Sequence, residues 1–423
     1  MKIDEFSALQ YGMFVHYGLF SHLARGEWVM NREQISPQEM KEIPTTFRPE
    51  KFDADSICRL AVEGGMRYIV FTTMHHEGFR LYESALSDFN SMNYWGRDLV
   101  REIVCAARKY GLKIGLYHSL NNWFDSPDAV CALEDKVAYE RFIGNTFARL
   151  KELVTLFDPV DILWYDGWWP FNSVTWKALE MNDEMRKIQG HLLFNGRNGL
   201  PGDFGTPEQH LTAPDPWRPW EACVTLNDHW GYHASDCHWK DPLDVVNMLL
   251  TCGTGHGNLL LNIGPRGDGS IPEESVRIIR QVGRWLTEEG GREAISGCEK
   301  FSFSPVLPQS GDRGDWDPQG SFTVSGNRLF MTLKYFPGSK LTLTGVQTQV
   351  CNVSACNGTF SLPFVQNGGK VIVDLPEVLK ERFAPVIRFE CKDAPAIYRT
   401  GGMRIPACEH PRYDPVAPDI QYE

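Results

Sequence analysis

The sequence predicts an α/β fold, a (β/α) barrel that is irregular among its last helices and is followed by a C-terminal antiparallel β-sandwich. Compact apolar segments alternate with amphipathic helical patterns over about the first 300 of the 423 residues, which indicates a parallel sheet. After about Gly297 the chain turns to Ser, Thr and Gly and to short alternating strands, which is typical of a sandwich. Because one core rarely grows beyond about 250–300 residues, we expect two domains, over residues 1–296 and 297–423.

Seven apolar segments are predicted as the strands of the barrel. Each is too short for a helix, and all but Cys223–Leu226 end at a polar or glycine position. In chain order they are Tyr11–His16, Tyr68–Thr73, Lys113–His118, Asp161–Gly167, His191–Asn195, Cys223–Leu226 and Asn258–Gly264.

Amphipathic patterns between these segments predict the helices. One begins at Asp55 or Ser56 and another at Asp98, because short side chains that carry oxygen cap helix N-termini. Residues 199–220 are rich in Pro and Gly and show no helical period, so we predict a structured loop there. Further helices are predicted over residues 134–156, 176–189, 242–250 and 273–289.

The second predicted domain carries no group of residues suited to catalysis. Its segments alternate polar and apolar residues, as half-buried antiparallel strands do, and we interpret it as an accessory domain. The predicted strands are Phe322–Ser325, Arg328–Leu333, Lys340–Leu343, Lys370–Val373 and Pro385–Glu390.

Charge and composition exclude several classes of partner. A formal net charge of −12 and few basic clusters argue against a nucleic acid or an anionic membrane surface. Because the net charge is negative, we expect a neutral or cationic small substrate. No run of about 20 apolar residues is present that could span a bilayer. The 13 tryptophans suit core packing and also suit stacking on the C–H faces of sugars.

The cysteines and the first residues bear on the cellular compartment. Eleven cysteines without paired spacing predict reduced thiols rather than disulfides or a zinc site. The opening residues show neither the apolar core nor the cleavage site of a secretory signal. We expect a cytoplasmic protein, or a secreted one if a signal has been removed.

Reactive groups are expected at the carboxyl ends of the predicted strands, where α/β barrels place them. Asp166 ends the fourth strand close to Trp164, and Arg197 follows the fifth. Four histidines stand at or just after the ends of the first three strands, and they are His16, His75, His76 and His118.

A metal-dependent hydrolase is one interpretation of this collection. Such a site needs pairs of histidines that point into the barrel together, normally two residues apart because side chains alternate along a strand. His75 and His76 are adjacent, so only one of them could face the interior of a regular strand. We therefore predict no metal.

Cleavage of a glycosidic bond is the favoured interpretation. In retaining enzymes one carboxylate attacks the anomeric carbon, and a second carboxyl about 5–5.5 Å away protonates the leaving oxygen. Asp166 is the natural nucleophile. Its partner is Glu208 or Glu221, and the spacing in the sequence does not decide between them. Each could also have no catalytic role, Glu208 as a solvated loop residue and Glu221 as a paired residue of a barrel strand.

Nine short motifs stand out along the chain: Phe14–Gly18, Gly26–Trp28, His75–Phe79, Gly115–Ser119, Trp164–Gly167, Asn195–Arg197, Trp220–Glu221, Trp230–Tyr232 and Gly257–Pro265. In this order they resemble the α-L-fucosidases of glycoside hydrolase family 29. The resemblance covers the chain from about Tyr11 to Trp285, and a C-terminal β-sandwich completes the architecture of that family. Each motif is weak alone, and their shared order carries the resemblance.

The resemblance implies a retaining exo-hydrolysis of terminal α-L-fucose on a fucosylated glycan, through a covalent fucosyl-enzyme intermediate and without a cofactor. Asp166 is then the nucleophile. Glu208 is the first choice for the acid/base, because relatives with a glutamate in this Thr-Pro-Glu context use it, and Glu221 is the reserve. The implied sugar-binding residues are His16, Glu27, Trp28, His75, His76, His118, Trp164, Arg197 and Trp230, the last beside the methyl group of fucose.

Two other functions remain open from the sequence. The chain could hydrolyse a related sugar such as an α-L-galactoside, which differs from a fucoside only at the methyl end of the pocket. It could also bind fucose without cleaving its glycosidic bond. The presence of Asp166 and of two further acids argues against this binding function.

Overall fold

The structure, a computed structural model, describes residues 1–301 and 320–397. The chain divides into two compact units, one over Met1–Gly283 and one that begins at Arg284. Helices and parallel strands alternate in the first unit, whereas the described part of the second is mostly antiparallel β-structure. The domain limits given by the sequence stay a prediction.

One sheet of seven parallel strands forms the centre of the first unit, and its strands coincide with the seven predicted segments. The strands are buried along almost their whole length, as expected of a parallel sheet covered by helices. They are β1 (Tyr11–Val15), β2 (Tyr68–Met74), β3 (Lys113–Ser119), β4 (Ile162–Asp166), β5 (Leu193–Phe194), β6 (Glu221–Thr225) and β7 (Asn258–Ile263). Their order in the sheet is β5-β4-β3-β2-β1-β7-β6.

Several helices of this unit begin at an aspartate that accepts N–H groups of the first turn. Asp98 is such a cap, as the sequence predicted. The helix predicted to begin at Asp55 or Ser56 is capped instead by Asp53, whose carboxylate accepts the N–H groups of both residues. The helices, the last of which runs past Gly283, are α1 (Ile3–Ser7), α2 (Leu19–Leu23), α3 (Val29–Arg32), α4 (Pro37–Thr46), α5 (Ala54–Glu63), α6 (Ser91–Trp95), α7 (Leu99–Lys109), α8 (Ala129–Glu134), α9 (Lys136–Leu156), α10 (Ala178–Ile188), α11 (Pro242–Thr254) and α12 (Glu273–Thr287).

An irregular segment fills the gap between the two edge strands, β5 and β6. This closing segment, residues 203–209, forms isolated bridges rather than a regular strand. On one side the Asp203 N–H donates to the Phe194 carbonyl, at 2.7 Å. On the other side the Cys223 N–H donates to the Pro207 carbonyl, at 3.0 Å. The segment therefore takes the place of an eighth strand and closes the barrel within the predicted loop.

The described part of the second unit is a β-sandwich, as predicted, and all five predicted strands are present. The elements are α13 (Gly291–Ile295), β8 (Glu299–Phe301), β9 (Gly320–Ser325), β10 (Arg328–Leu333), β11 (Lys340–Leu343), β12 (Val350–Ala355), β13 (Phe360–Ser361), β14 (Phe364–Asn367), β15 (Lys370–Asp374), a 3₁₀ helix (Glu377–Glu381) and β16 (Val386–Cys391). The two sheets have the orders β13-β12-β16-β10-β9-β8 and β11-β15-β14, and side chains from both enter one core, among them Phe389 and Val373.

Candidate active site

A cavity of about 240 Å³ opens at the carboxyl ends of the barrel strands. This volume lies just below the roughly 300–1,000 Å³ that is usual for drug-sized ligands, so it suits a single small ring. The lining combines aromatic faces with a few polar groups. The lining residues are Phe14, His16, Glu27, Trp28, His75, His76, Tyr117, Trp164, Asp166, Trp169, Arg197, Glu208, Cys223 and Trp230.

Asp166 ends β4 with both carboxylate oxygens hydrogen-bonded. The Tyr117 hydroxyl donates to Oδ2 at 2.7 Å, and Nη1 of Arg197 donates to Oδ1 at 3.1 Å. Burial alone raises the pKa of Asp166, but the charge of Arg197, the nearby histidines and the Tyr117 hydrogen bond outweigh it and lower the pKa to about 2. The carboxylate is therefore ionised at neutral pH, as a nucleophile requires.

Arg197 joins Asp166 to the second acid of the cavity. Its Nη2 donates to Oε2 of Glu208 at 2.7 Å, and the Trp230 indole N–H donates to Oε1 at 3.2 Å. The Glu208 side chain is 43% exposed, whereas that of Asp166 is 14% exposed. One guanidinium thus contacts two carboxyl groups at one cavity, one largely buried and one at the solvent boundary.

The closing segment brings Glu208 into the cavity. Glu208 forms a parallel bridge with Cys223 of β6, and the Gln209 N–H donates to the Cys223 carbonyl at 3.0 Å. Arg197 also donates from Nε to the Thr206 hydroxyl, at 3.2 Å. The position of Glu208 therefore depends on pairing with β6 and on Arg197 rather than on a regular pattern of its own segment.

His75 and His76 both line the cavity, where the resemblance places them, although a regular strand would turn only one of them inward. The alternation argument does not apply, because β2 ends at Met74 and the two residues belong to the loop that follows. His16 likewise follows the last residue of β1 and lines the cavity.

The histidines present hydrogen-bond acceptors to the cavity. Asn262 donates its amide N–H to the Trp230 carbonyl, so its oxygen accepts from Nδ1 of His16, at 2.7 Å. Ser119 donates to the Asn121 carbonyl, so its hydroxyl oxygen accepts from Nδ1 of His76, at 2.6 Å. Each ring then keeps a bare Nε2 that can accept from a ligand hydroxyl.

Burial keeps these rings uncharged at neutral pH. It lowers the pKa of His16 and of His76 to about 3, with a further contribution from the neighbouring His75, and it lowers the pKa of His75 to about 4. Arg197 is consequently the one cation among the lining residues at pH 7. The uncharged rings are suited to hydrogen bonds with hydroxyl groups, and the lining offers an anionic ligand only one positive charge.

Aromatic rings form the walls of the cavity. Trp230 lies 5.1 Å from His16 between ring centroids, and Trp28 stacks on Trp169 at 5.8 Å with an interplanar angle of 15°. Glu27 supports this arrangement, because its carboxylate accepts the N–H of Gly231 at 2.9 Å. Flat apolar surfaces therefore face the space between the polar groups.

His118, which the resemblance places in the sugar pocket, is not a lining residue. Neighbouring residues of β3 point to opposite faces, so Tyr117 faces the cavity and His118 faces away from it. His118 is fully buried, and its Nδ1 lies 3.0 Å from the Thr73 hydroxyl. Tyr117 takes the contact with Asp166, and the alternation along β3 is the signal that could have found it.

Glu221, the reserve choice for the acid/base, lies outside the cavity lining. It is the first residue of β6 and therefore belongs to the end of the barrel away from the carboxyl edge. The Tyr68 hydroxyl and the Trp164 indole N–H donate to its two oxygens, at 2.6 and 2.9 Å. The side chain is fully buried.

Four lining residues were absent from the predicted set, and they are Phe14, Tyr117, Trp169 and Cys223. Phe14 lies two residues before His16, so strand alternation could have found it. Trp169 belongs to the loop after β4, and no periodic pattern predicted its direction.

Two structural features are not found within residues 1–301 and 320–397. No group of three or more His, Cys, Asp or Glu side chains there is arranged to hold a metal ion. No helix in the same residues combines the length and the apolar character needed to cross a bilayer.

Comparison with known proteins connects this geometry to one family. The sequence model of the family described as alpha-L-fucosidase matches residues 2–291. The chain is 30% identical to the tissue alpha-L-fucosidase of Mus musculus over 366 residues, which is 78% of this chain and 78% of the relative.

Solved structures agree with the sequence match. The alpha-L-fucosidase isoenzyme 1 from Paenibacillus thiaminolyticus superposes with a TM-score of 0.78 and 31% identity, covering 92% of this chain and 99% of that one. The Thermotoga maritima alpha-fucosidase in complex with a mechanism-based inhibitor superposes with a TM-score of 0.71 and 25% identity, covering 91% and 96%. The barrel with its C-terminal sandwich is thus shared with fucosidases.

Proposed function

Because the chain belongs to the α-L-fucosidases of glycoside hydrolase family 29, we propose that it releases terminal α-L-fucose with retention of configuration, by a double displacement. Asp166 attacks the anomeric carbon, and Glu208 is the acid/base. The observation that carries this proposal is the Arg197 guanidinium, which contacts Asp166 and Glu208 at the same cavity. The substrate is a fucosylated glycan, and the small cavity supports attack on a terminal residue.

The first half of the reaction forms an ester between Asp166 and the sugar. The lowered pKa of Asp166 supplies the carboxylate, and Tyr117 and Arg197 orient it. Glu208 donates a proton to the leaving oxygen as the bond breaks. Its exposed position supports this role, because the rest of the glycan leaves on the solvent side.

In the second half, water enters where the leaving group was. Glu208, now a carboxylate, removes a proton from this water as it attacks the anomeric carbon. The bond to Asp166 breaks, and its carboxylate regains the hydrogen bonds from Tyr117 and Arg197. Two inversions at the same carbon give the α-anomer as the first product.

Recognition of fucose follows from a lining that combines hydrogen-bond acceptors with aromatic faces. The bare Nε2 atoms of His16 and His76 accept from sugar hydroxyls, and the carboxylate of Glu27 is a further acceptor at the wall. The rings of Trp28 and Trp230 offer apolar surface to the ring C–H groups and the methyl group. A sugar with misplaced hydroxyls would leave buried polar groups of the cavity without hydrogen-bond partners. Such a site rejects the wrong sugar more strongly than an apolar pocket does.

The proton NMR spectrum of the reaction on an aryl α-L-fucoside tests this proposal. We expect α-L-fucose to appear first and the β-anomer only later, through mutarotation. Initial release of the β-anomer would contradict the double displacement, and the absence of any hydrolysis would contradict the activity. An aryl α-L-galactoside, which carries a hydroxymethyl group in place of the methyl, serves as the control and should react more slowly.

A further inference from the structure

The Glu221 carboxyl lies beneath the cavity with both oxygens occupied. Nε1 of Trp164 donates to Oε1 at 2.9 Å, and the Tyr68 hydroxyl donates to Oε2 at 2.6 Å. A carboxyl is unfavourable to bury, and an apolar side chain of similar volume is often at least as stabilising at such a position. The two directed hydrogen bonds point to a role other than filling the core.

Trp164 connects this carboxyl to the reacting groups. The Arg197 guanidinium lies over the indole face, with Cζ 4.8 Å from the ring centroid, a distance at which a cation is attracted to an aromatic face. The same guanidinium donates to Asp166 and to Glu208. If the plane of the indole changes, the Arg197 guanidinium that packs on it therefore shifts. The carboxyl groups of Asp166 and Glu208, which Arg197 contacts, then shift as well.

We propose that Glu221 is a positioning residue for the proposed fucosidase reaction: its hydrogen bond fixes the indole plane of Trp164, on which the Arg197 guanidinium rests. Glu221 exchanges no proton with the substrate, since it lies outside the cavity lining. The inference rests on the proposed function, because the groups that it positions are the proposed nucleophile and acid/base.

The contact tolerates either charge state of Glu221. Burial raises the pKa of Glu221 to about 7, against the lowering effect of its two hydrogen bonds and of Arg197. Oε1 accepts from Trp164 whether the carboxyl is ionised or protonated, and the Tyr68 hydroxyl can either donate or accept. An uncharged isostere should therefore preserve the role of Glu221, whereas an acid/base cannot be replaced in this way.

Glutamine and alanine substitutions at position 221 separate the two roles. Glu221→Gln keeps an oxygen for Trp164 and an amide group for Tyr68, so we expect kcat for an aryl α-L-fucoside to stay within about threefold of wild type. Glu221→Ala leaves the indole unsupported. For this variant we expect kcat to fall by about 100-fold, the size expected of a small misplacement, with KM within about twofold because the sugar contacts remain.

A double-mutant cycle tests whether the effect passes through Trp164. Trp164→Phe keeps an aromatic face for Arg197 but removes the N–H that Glu221 accepts. We expect Glu221→Ala to cost less than about fivefold in kcat in the Trp164→Phe background, because the contact is already lost. Equal costs in the two backgrounds would overturn the proposal. The comparison needs only folded double and single variants, which melting temperatures establish.

A structural control shows whether lost stability alone explains the result. Asp98→Ala removes a largely buried carboxylate that caps α7, and it should lower the melting temperature while kcat stays unchanged.

If Glu221→Ala is as active as wild type, Glu221 positions nothing, although the proposed function stands. If Glu221→Gln is as inactive as Glu221→Ala and azide restores a retained product, Glu221 is the acid/base instead. A wild type inactive on every fucoside would refute the proposed function itself.

Discussion

The floor of the cavity and its rim are built in different ways. The floor, formed by His16, Tyr117, Trp164 and Asp166, lies on or directly after the regular strands β1, β3 and β4 and is largely buried. The rim includes Glu208 on the closing segment and Trp169 in the loop after β4, and both residues are more than one-third exposed, at 43% and 37%. The hydrogen bonds of the parallel sheet hold the floor in place. Isolated bridges and single hydrogen bonds to neighbouring strands hold the closing segment of the rim.

This difference matches what each part must do in the proposed mechanism. The nucleophile attacks a ring that occupies the same place in every turnover, so a rigid and desolvated setting is favourable. The acid/base must meet leaving groups of different shape and then a water molecule, which requires an opening to solvent. Substitutions in the two parts should accordingly differ in how strongly their effect depends on the leaving group.

Loss of the nucleophile on the floor should give the largest effect. We expect Asp166→Ala to lower kcat by at least about 10⁴-fold on every fucoside, because no covalent intermediate can form. Azide should restore turnover and yield the inverted β-fucosyl azide, which NMR identifies. Asp161→Asn, directly before the opposite end of the same strand, is the matched control and should stay active. A retained α-azide from Asp166→Ala would contradict the assignment.

Loss of the acid/base at the rim should depend on the leaving group. We expect Glu208→Ala to lower kcat/KM by about 10²–10⁴-fold on a fucosylated oligosaccharide, the usual contribution of general acid catalysis. The loss should be far smaller on α-L-fucosyl fluoride, whose leaving group needs little protonation.

Azide and a surface control complete this test. Azide should accelerate the Glu208→Ala variant and give the retained α-azide, since Asp166 still forms the intermediate. Glu273→Ala, at a side chain that is 91% exposed, should leave both rates unchanged. Equal losses on the two substrates would remove Glu208 from the acid role.

The floor should also show its burial in the pH dependence of stability. His16 has a pKa of about 3 in the folded protein and about 6.5 when unfolded. Below pH 6.5 the unfolded chain therefore binds one more proton at this residue, and acidification favours unfolding. Against a His16→Gln variant, the wild type should lose about 1.4 kcal/mol per pH unit between about pH 6 and 4.

Denaturant titrations of both proteins at several pH values measure this slope. The difference in the free energy of unfolding should change steadily across this range and be nearly constant above pH 7. An unchanged difference between pH 7 and 4 would show that His16 titrates normally and is hydrated in the folded protein.

The floor could be predicted from the sequence because it follows local patterns. Asp166 and His16 each come at the end of a short apolar segment, and parallel strands collect such ends at one edge. The same patterns predicted the seven barrel strands and the sandwich. The choice between Tyr117 and His118 shows their limit, because adjacent residues differ only in which face of the strand they occupy.

The rim could not be predicted in this way. Residues 203–209 have no period, and hydrogen bonds to β5 and β6 bring Glu208 to the cavity. Spacing in the sequence did not decide between Glu208 and Glu221, since it does not show at which end of the barrel either side chain lies. Only the pairing of Glu221 with Asn258, at the start of β7, places it below the cavity.

The smallest expected effect concerns the aromatic part of the rim. Trp169 lines the cavity, packs on Trp28, and is nevertheless 37% exposed, so its outer surface is available to the glycan unit that bears the fucose. We expect Trp169→Ala to lower the ratio of kcat/KM for a fucosylated oligosaccharide to that for α-L-fucosyl fluoride by about five- to tenfold, since an aromatic contact contributes about 1 kcal/mol.

The fluoride isolates the fucose site from the surface beyond it, because its leaving group is a single atom that cannot reach Trp169. Trp217→Ala, which removes another exposed indole that does not line the cavity, should leave the ratio unchanged. A parallel fall for both substrates would assign Trp169 to the floor rather than to the rim. The division into floor and rim would then not hold for Trp169, because this exposed loop residue would contact the same sugar ring as the buried strand residues do.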